Sequence, residues 1–485
     1  MVDVAVVGAG PNGLAAALTM ARAGLSVVVH EAASSAGGGT RTAELTLPGF
    51  RHDVCSAVHP MALASPFFRA FGLADRIELL VPEISYGHPL DGGRAGIAYR
   101  DLDRTVEALG VDGKAWLSLM KPLLQRIDGV IDFTQNNLLR FPQDPLSALS
   151  YGLRTLEQGS PAWRLRFHGQ VAPAMLTGVA AHAMGRLPSL AAAGAGLLLG
   201  ALAHDGGWPV PRGGSQAIAE AMTADLLAHG GAVVLDSPVT SIAALRAETG
   251  ARAVICDLTP RALARLGAGE LPERYIRRLE SFKYGAGVCK VDIALSGPVP
   301  WANEALRRAP TVHLGGSREA IALAENQVLA GGHPDDPYVL AAQPCVLDPS
   351  RAPAGQHTLW AYTHVPAGST RDRTDAVIGQ VERFAPGFRD LILATHTATA
   401  EDVGVYNPNY IDGDISSGAV TLAQLIKRPV VAREPWRTPA PGLYLGSAAT
   451  PPGPAVHGMG GWFAARSALR HTFGLQAPHL GPARH

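Results

Sequence analysis

The sequence predicts an α/β fold: a parallel sheet flanked by helices, from which the chain leaves twice to build a second, α+β domain. Three observations predict it. A strand, a glycine-rich turn, a helix and a further strand fill the first thirty-one residues; a glycine turn, a helix and strands return after His204; and a strand, a turn and a helix close the chain after Pro441. Sheet-type and helix-type periodicities alternate in all three places, as a parallel sheet with crossover helices requires.

The elements follow in order. Val4 to Val7 is an apolar run of strand length, Pro11 to Ala23 a helix ended by Gly24, and Ser26 to His30 the next strand. Between the first strand and the helix, Gly8, Gly10 and Gly13 occupy the G-x-G-x-x-G positions, with Pro11 and Asn12 opening the helix. Gly8 suits a tight turn, Gly10 lets backbone approach a pyrophosphate, and Gly13 lets helix and strand pack closely. The helix start offers unpaired N–H groups and a positive dipole end to phosphate. Glu31, followed by Ala32, ends the second strand, where a carboxylate can accept bonds from ribose hydroxyls. A mere packing turn gives no reason for that acid. Gly37, Gly38 and Gly39 then let the chain run beside an extended cofactor, and after Thr40 comes Arg41, suited to its diphosphate charge. This second glycine cluster points to FAD rather than NAD.

From 71 to 204 the chain is predicted to be largely helical and apolar, a substrate cap. Its longest apolar stretch, Leu190 to Ala203, is too short to span a bilayer and is expected to line an apolar interior. The pattern then returns to the cofactor domain: a helix from Ser215 to His229, ended by Gly230 and Gly231, and strands in AVVLDSPVTSI and ARAVICDL. From 286 to 431, strand-like runs such as KVDIAL, YVLAAQPCVL and HTLWAYTHV predict a sheet flooring the substrate cavity. Last come a strand at Leu443 to Leu445, a turn at Gly446 and Ser447, and a Pro/Gly loop. A helix from about Gly461 to Phe473 follows, entered through Gly458, Met459 and Gly460, whose start can stabilise negative charge on a reduced flavin. The expected division is therefore 1–70, 205–285 and 432–480 for the cofactor domain, with 71–204 and 286–431 for the substrate domain.

Composition excludes several classes. Acidic and basic residues balance at 41 each with no basic tract, so nucleic acid is not an expected partner. The four cysteines, Cys55, Cys256, Cys289 and Cys345, form no C-x-x-C, and no metal-ligand spacing occurs; reduced thiols in a cytoplasmic protein are expected. The cofactor strand begins so early that no targeting peptide is expected before it. A peripheral membrane contact and a homo-oligomer are left open.

These features resemble the phytoene desaturase-like branch of the flavin amine oxidase and carotenoid desaturase superfamily. The resemblance covers nearly the whole chain, including PGFRHDVCSAVHP, GHPLDGGRAGIAYRDLDRT, HDGGWPVPRGGSQAIAEAM, KYGAGVCKVDIALSGPVPW, NPNYIDGDISSG and the C-terminal segment. The inner stretches are similar to a pyridine nucleotide-disulfide oxidoreductase-domain group. The resemblance implies a Rossmann-like FAD-binding domain with a discontinuous α+β substrate domain, and the Val239 backbone beside the adenine. It also implies an apolar, isoprenoid or lipid-like substrate that yields a hydride to flavin. There is one dinucleotide fingerprint: GAGLLLG at 194–200 has the wrong spacing and no following acid, so flavin reoxidation is expected to fall to oxygen or a quinone.

Lys290 is the sharpest single-residue candidate. It opens the apolar strand KVDIAL, and the resemblance to amine oxidases implies a lysine there that contacts the flavin through water and assists reaction with oxygen. The competing reading pairs it with Asp292. His457 is a second catalytic candidate, placed to approach the flavin or substrate. Structural roles are expected for His52, Asp53, Cys55 and His59, and hydrogen-bonded core positions suit His182 and His204. An amine oxidase using Lys290 is the enzymatic alternative, with Trp208, Trp462 and Phe463 as candidate flanking aromatics. The remaining alternative is a flavin-free lipid escort of the GDP-dissociation-inhibitor type, against which the intact Gly8, Gly10, Gly13 and Glu31 argue.

Overall fold

The computed structural model describes residues 1–481. Two sheets organise it. The first has five parallel strands in the order Leu443–Leu445, Ala253–Cys256, Val4–Val7, Val27–His30, Ala232–Val234. Its centre is buried on both faces and is accordingly a continuous apolar run (VAVV), with no alternation. The helices Pro11–Arg22, Gln216–Ala228 and Met459–Ala468 pack on one face through Leu14, Leu18, Ile218, Met222 and Ala465. The other face is covered by Ile242–Thr249, Pro260–Leu266 and Glu273–Glu280.

Close helix packing here depends on two glycines. A Cβ on Gly13 would lie 2.0 Å from the Gly8 carbonyl oxygen, and one on Gly461 would lie 1.7 Å from that of Asn12. The second contact seats the C-terminal helix directly on the N-terminal glycine turn. The two ends of the chain therefore meet, as the repeated strand-turn-helix pattern predicts.

The second sheet has seven strands in the order Ile392–Ala398, Gly287–Leu295, His357–Val365, Val339–Ala342, Thr311–Leu314, Ile84–Pro89, Ala95–Tyr99. All neighbours are antiparallel except the single parallel contact of Val312 with Gly87. The two strands drawn from 84–99 lie in a stretch read from sequence as largely helical. They turn on Asp91–Gly93, where Gly92 and Gly93 take positive φ. The helices of 113–204 stack beside this sheet, with Val171–Ala180 and Leu190–His204 the most buried of them. GAGLLLG lies inside that helix and forms no turn, in agreement with its exclusion as a second fingerprint. Among the described residues no helix is long and apolar enough to cross a membrane.

Candidate active site

A cavity of about 1010 Å³ opens where the C-terminal ends of the parallel strands meet the second sheet, the crevice in which open α/β sheets bind ligands. Three walls build it. The parallel sheet supplies Gly8, Gly10, Pro11, Asn12, Glu31, Ala32, Gly38, Gly39, Arg41, Val239, Asp257 and Ser447. The antiparallel sheet supplies Thr311, Leu340, Trp360 and Tyr362, and the helical layer supplies His182, Met184, Leu198, Leu199 and Trp208.

The glycine turn presents open donors. The N–H groups of Gly10 and Asn12 find no acceptor among the described residues, whereas Gly8 N–H is bonded to His30 O. The Glu31 carboxylate is locked: Oε2 accepts the Ala9 N–H at 2.8 Å, and Oε1 accepts the Ala33 N–H at 2.9 Å and an Arg41 N–H at 3.3 Å. Each carboxylate oxygen has more than one lone-pair direction, so acceptor capacity remains on the cavity side. Arg41 is held by that contact and by Ser35 O at 2.6 Å, with its guanidinium 5.5 Å from the Tyr406 ring centre. Unbonded N–H groups at a helix start, a fixed acid at the second strand tip and a cavity at the upper end of ligand-site volumes fit a dinucleotide such as FAD.

Asp257 was not foreseen as a site residue. It follows the Ala253–Cys256 strand and lines the cavity, its Oδ2 accepting the Gly13 N–H at 2.9 Å. A Cβ on Gly10 would lie 2.7 Å from that oxygen, so a larger residue there would push the Asp257 carboxylate off the Gly13 N–H. Burial pushes the Asp257 carboxyl up to about 7; the Gly13 N–H opposes this and the nearby Glu31 charge adds to it.

The other predicted cofactor residues stand behind the cavity lining. Gly13 and Gly446 are packing points: a Cβ on Gly446 would lie 2.7 Å from Ala464 Cβ. Thr40 Oγ1 donates to Gly37 O at 2.8 Å. Gly458 turns the chain at φ 68° against Phe67, and a Cβ on Gly460 would lie 2.7 Å from Ser447 O. The Met459 N–H is already donated to His457 Nδ1 at 3.1 Å. That bond sets the His457 tautomer, so its Nε2–H faces Gly453 O at 3.1 Å and both ring nitrogens are spent on the loop. Burial pushes His457 down to about 4, so it is neutral.

Lys290 is buried with its ammonium on the Asp292 carboxylate, and the nitrogen lies 5.8 Å from the Trp360 ring centre. His52 Nδ1 stands 3.5 Å and His396 Nδ1 3.7 Å from the same carboxylate. Burial depresses His52 to about 4, leaving Lys290 as its charged partner. Lys290 and Asp292 stand opposite Tyr362 and Trp360 across the ladder, so all four side chains share one face of the sheet. The aromatic pair lining the cavity is therefore Trp360 and Tyr362, with ring centres 5.1 Å apart at 81°, together with Trp208. Trp462 and Phe463 lie outside the cavity, on the C-terminal helix near Trp436. Asp53 is bonded to the buried Arg351 at 2.8 Å and His59 to Ser215 Oγ at 2.7 Å, consistent with structural positions. The four cysteines are unpaired, and no metal-binding cluster occurs among the described residues.

A glycine-turn parallel sheet facing an aromatic-lined second sheet defines a dinucleotide-dependent oxidoreductase of two-domain construction. The family model for flavin containing amine oxidoreductase matches residues 12–466. The chain belongs to that family and is an FAD-dependent oxidoreductase. It is 24% identical over 96% of its length, and 93% of the relative's, to the rat (Rattus norvegicus) pyridine nucleotide-disulfide oxidoreductase domain-containing protein 2. A stretch covering 22% of the chain and 19% of the relative is 33% identical to one of the limonene dehydrogenase polypeptides of Castellaniella defragrans. A triple mutant of putrescine oxidase shares the fold at TM-score 0.60 and 18% identity, covering 97% of this chain and 98% of that one.

Proposed function

We propose that this enzyme dehydrogenates a mainly apolar small molecule, of isoprenoid or other lipid-like character, at a C–C bond, a phytoene dehydrogenase-like reaction. The observation that carries this reading is the wall beyond the glycine turn. It is built from Leu198, Leu199, Met184, Leu340, Trp208 and Trp360, and the Lys290 ammonium 5.8 Å from the Trp360 ring centre is engaged by Asp292. Bound FAD supplies the hydride acceptor. The protein's part is to bind, orient and exclude water. The Gly10 and Asn12 N–H groups would meet the diphosphate, Glu31 the ribose and the Val239 backbone the adenine. The apolar wall would hold the substrate carbon beside the flavin, which would accept the hydride, while the proton from the neighbouring carbon would pass to water at the cavity mouth. Oxygen or a quinone would take the two electrons from the reduced cofactor.

A second reading, amine oxidation, is favoured by the Trp360–Tyr362 pair with Lys290 behind it. Anaerobic titration separates the two. Isoprenoid alkenes and terpenes are expected to bleach the flavin band near ~450 nm while amines leave it intact. Bleaching by amines alone overturns the desaturase reading. A preparation that stays colourless with added FAD favours a lipid escort.

A further inference from the structure

His182 sits in the turn Ala181–Ala183, and its ring lines the cavity. Its Nε2 lies 2.8 Å from Nε2 of His313, on the strand Thr311–Leu314. Burial pushes His182 down to about 3 and His313 well below the usual histidine range, so both rings are neutral. One hydrogen then lies between the two Nε2 atoms, and its owner decides what reaches the cavity.

His313 Nδ1 is fully buried and has no hydrogen-bond partner among the described residues. If His182 owned the shared hydrogen, His313 would carry its own on Nδ1, an N–H in a dry interior with nothing to receive it. Orphaned buried N–H groups are rarer in folded proteins than under-used acceptors, because the full desolvation cost falls on the donor. The favoured arrangement has His313 donating from Nε2 and keeping a bare lone pair on Nδ1. The remaining hydrogen of His182 must then stand on its Nδ1, which makes no bond to any described residue. Of the indole donors on this wall, Trp208 Nε1–H is bonded to Leu199 O at 3.1 Å, whereas Trp360 Nε1–H has no partner among the described residues.

We infer that His182 Nδ1–H is a substrate anchor, a neutral hydrogen-bond donor in a largely apolar wall. The ligand that fits is an apolar molecule carrying one acceptor oxygen, a carbonyl or an ether. The inference rests on the apolar-substrate reading above and sharpens it. The donor is neutral, so it recognises an oxygen without requiring a charged group, and it repels an ammonium, whose hydrogens would face its own.

Limonene and carvone share a carbon skeleton and differ by the ketone oxygen, so they isolate this contact. Calorimetric titration of the FAD-loaded protein at pH 7.5 gives the carvone-to-limonene affinity ratio for wild type and for His182→Phe. Loss of one hydrogen bond is expected to lower that ratio about five- to tenfold while limonene affinity stays within about threefold. His182→Leu is read by the same ratio where the larger ring disturbs folding. A ratio unchanged in the variants, or binding of neither terpene to wild type, overturns the anchor. The visible flavin spectrum and the bleaching panel on the same preparation judge the proposed reaction independently.

Discussion

Replacing Asp257 by Asn tests how the glycine turn accepts a dinucleotide. The carboxyl stands on the first turn of the cofactor helix with its pKa raised to about 7 by burial, against roughly 3.9 for an aspartate in an unfolded chain. The native state therefore holds a proton that the unfolded state has lost between about pH 4 and pH 7. Stability falls as pH rises through that window and levels off above 7. The three-unit difference is worth on the order of 4 kcal/mol. Asn keeps a carbonyl oxygen for the Gly13 N–H and has no charge to lose. Thermal stability of Asp257→Asn should thus match wild type near pH 4.5 and exceed it above pH 7.

FAD binding amplifies the contrast. A diphosphate on the Gly10 and Asn12 N–H groups meets either a neutral acid or a second anion at this position. If the bound state retains the proton, wild-type Kd rises about tenfold per pH unit above 7, and hence about tenfold between pH 7.5 and 8.5. The Asn variant should be flat over the same interval. Flavin fluorescence quenching at several pH values measures both curves. Parallel pH profiles for the two proteins would refute the electrostatic argument and reduce Asp257 to a neutral-equivalent helix cap.

Three further perturbations follow from the same geometry. Gly461→Ala puts a methyl 1.7 Å from the Asn12 carbonyl and forces the C-terminal helix off the glycine turn; about 1–3 kcal/mol of stability and most of the bound flavin should be lost, read by melting and by the absorbance ratio of flavin to protein. Glu31→Ala orphans the Ala9 and Ala33 N–H groups and releases Arg41, so FAD affinity should fall at least about tenfold with the fold retained by circular dichroism. Lys290→Met leaves the Asp292 carboxylate buried without its ammonium, at a cost of about 3–5 kcal/mol. The double variant K290M/D292N should recover most of that and react with oxygen within about threefold of wild type in stopped flow. A larger fall would return Lys290 to the reacting centre.

Much of the cofactor region was legible because its determinants are local. Gly8, Gly10 and Gly13 answer to backbone sterics within one turn, and Glu31 to its place at a strand tip. Contacts across the chain were less legible. Asp257 had a usable signal: ARAVICDL is a strand ending in an acid, as VVVHE is, and the parallel sheet brings both tips to one edge. Trp360 and Tyr362 also had one, being alternate residues of an apolar strand and so on one face. The hairpin at 84–99 was hidden in a region whose alanine and leucine content favours helix, although its Asp-Gly-Gly turn was in plain view. The His182–His313 contact joins residues 131 positions apart, and nothing local marks either imidazole.

Lys290 shows why a residue's chemistry is not settled by its type and strand. Two positions apart on a strand, Lys290 and Asp292 point to the same face, so the partner that engages the ammonium is written into KVD itself. The Asp292 carboxylate accepts one of the three ammonium hydrogens, which ties Lys290 to its own strand and leaves two N–H groups for other partners. His457 is constrained in the same way, since bonds to Gly453 O and from the Met459 N–H occupy both nitrogens of a neutral ring. On the cavity wall the His182 ring keeps its outward nitrogen free because His313 holds the other, and the unpartnered indole N–H of Trp360 lies on the same lining. The division of labour that results is physical: carboxylates and backbone donors gather at the strand tips, where a dinucleotide carries charge, and the few neutral donors stand where the ligand is apolar.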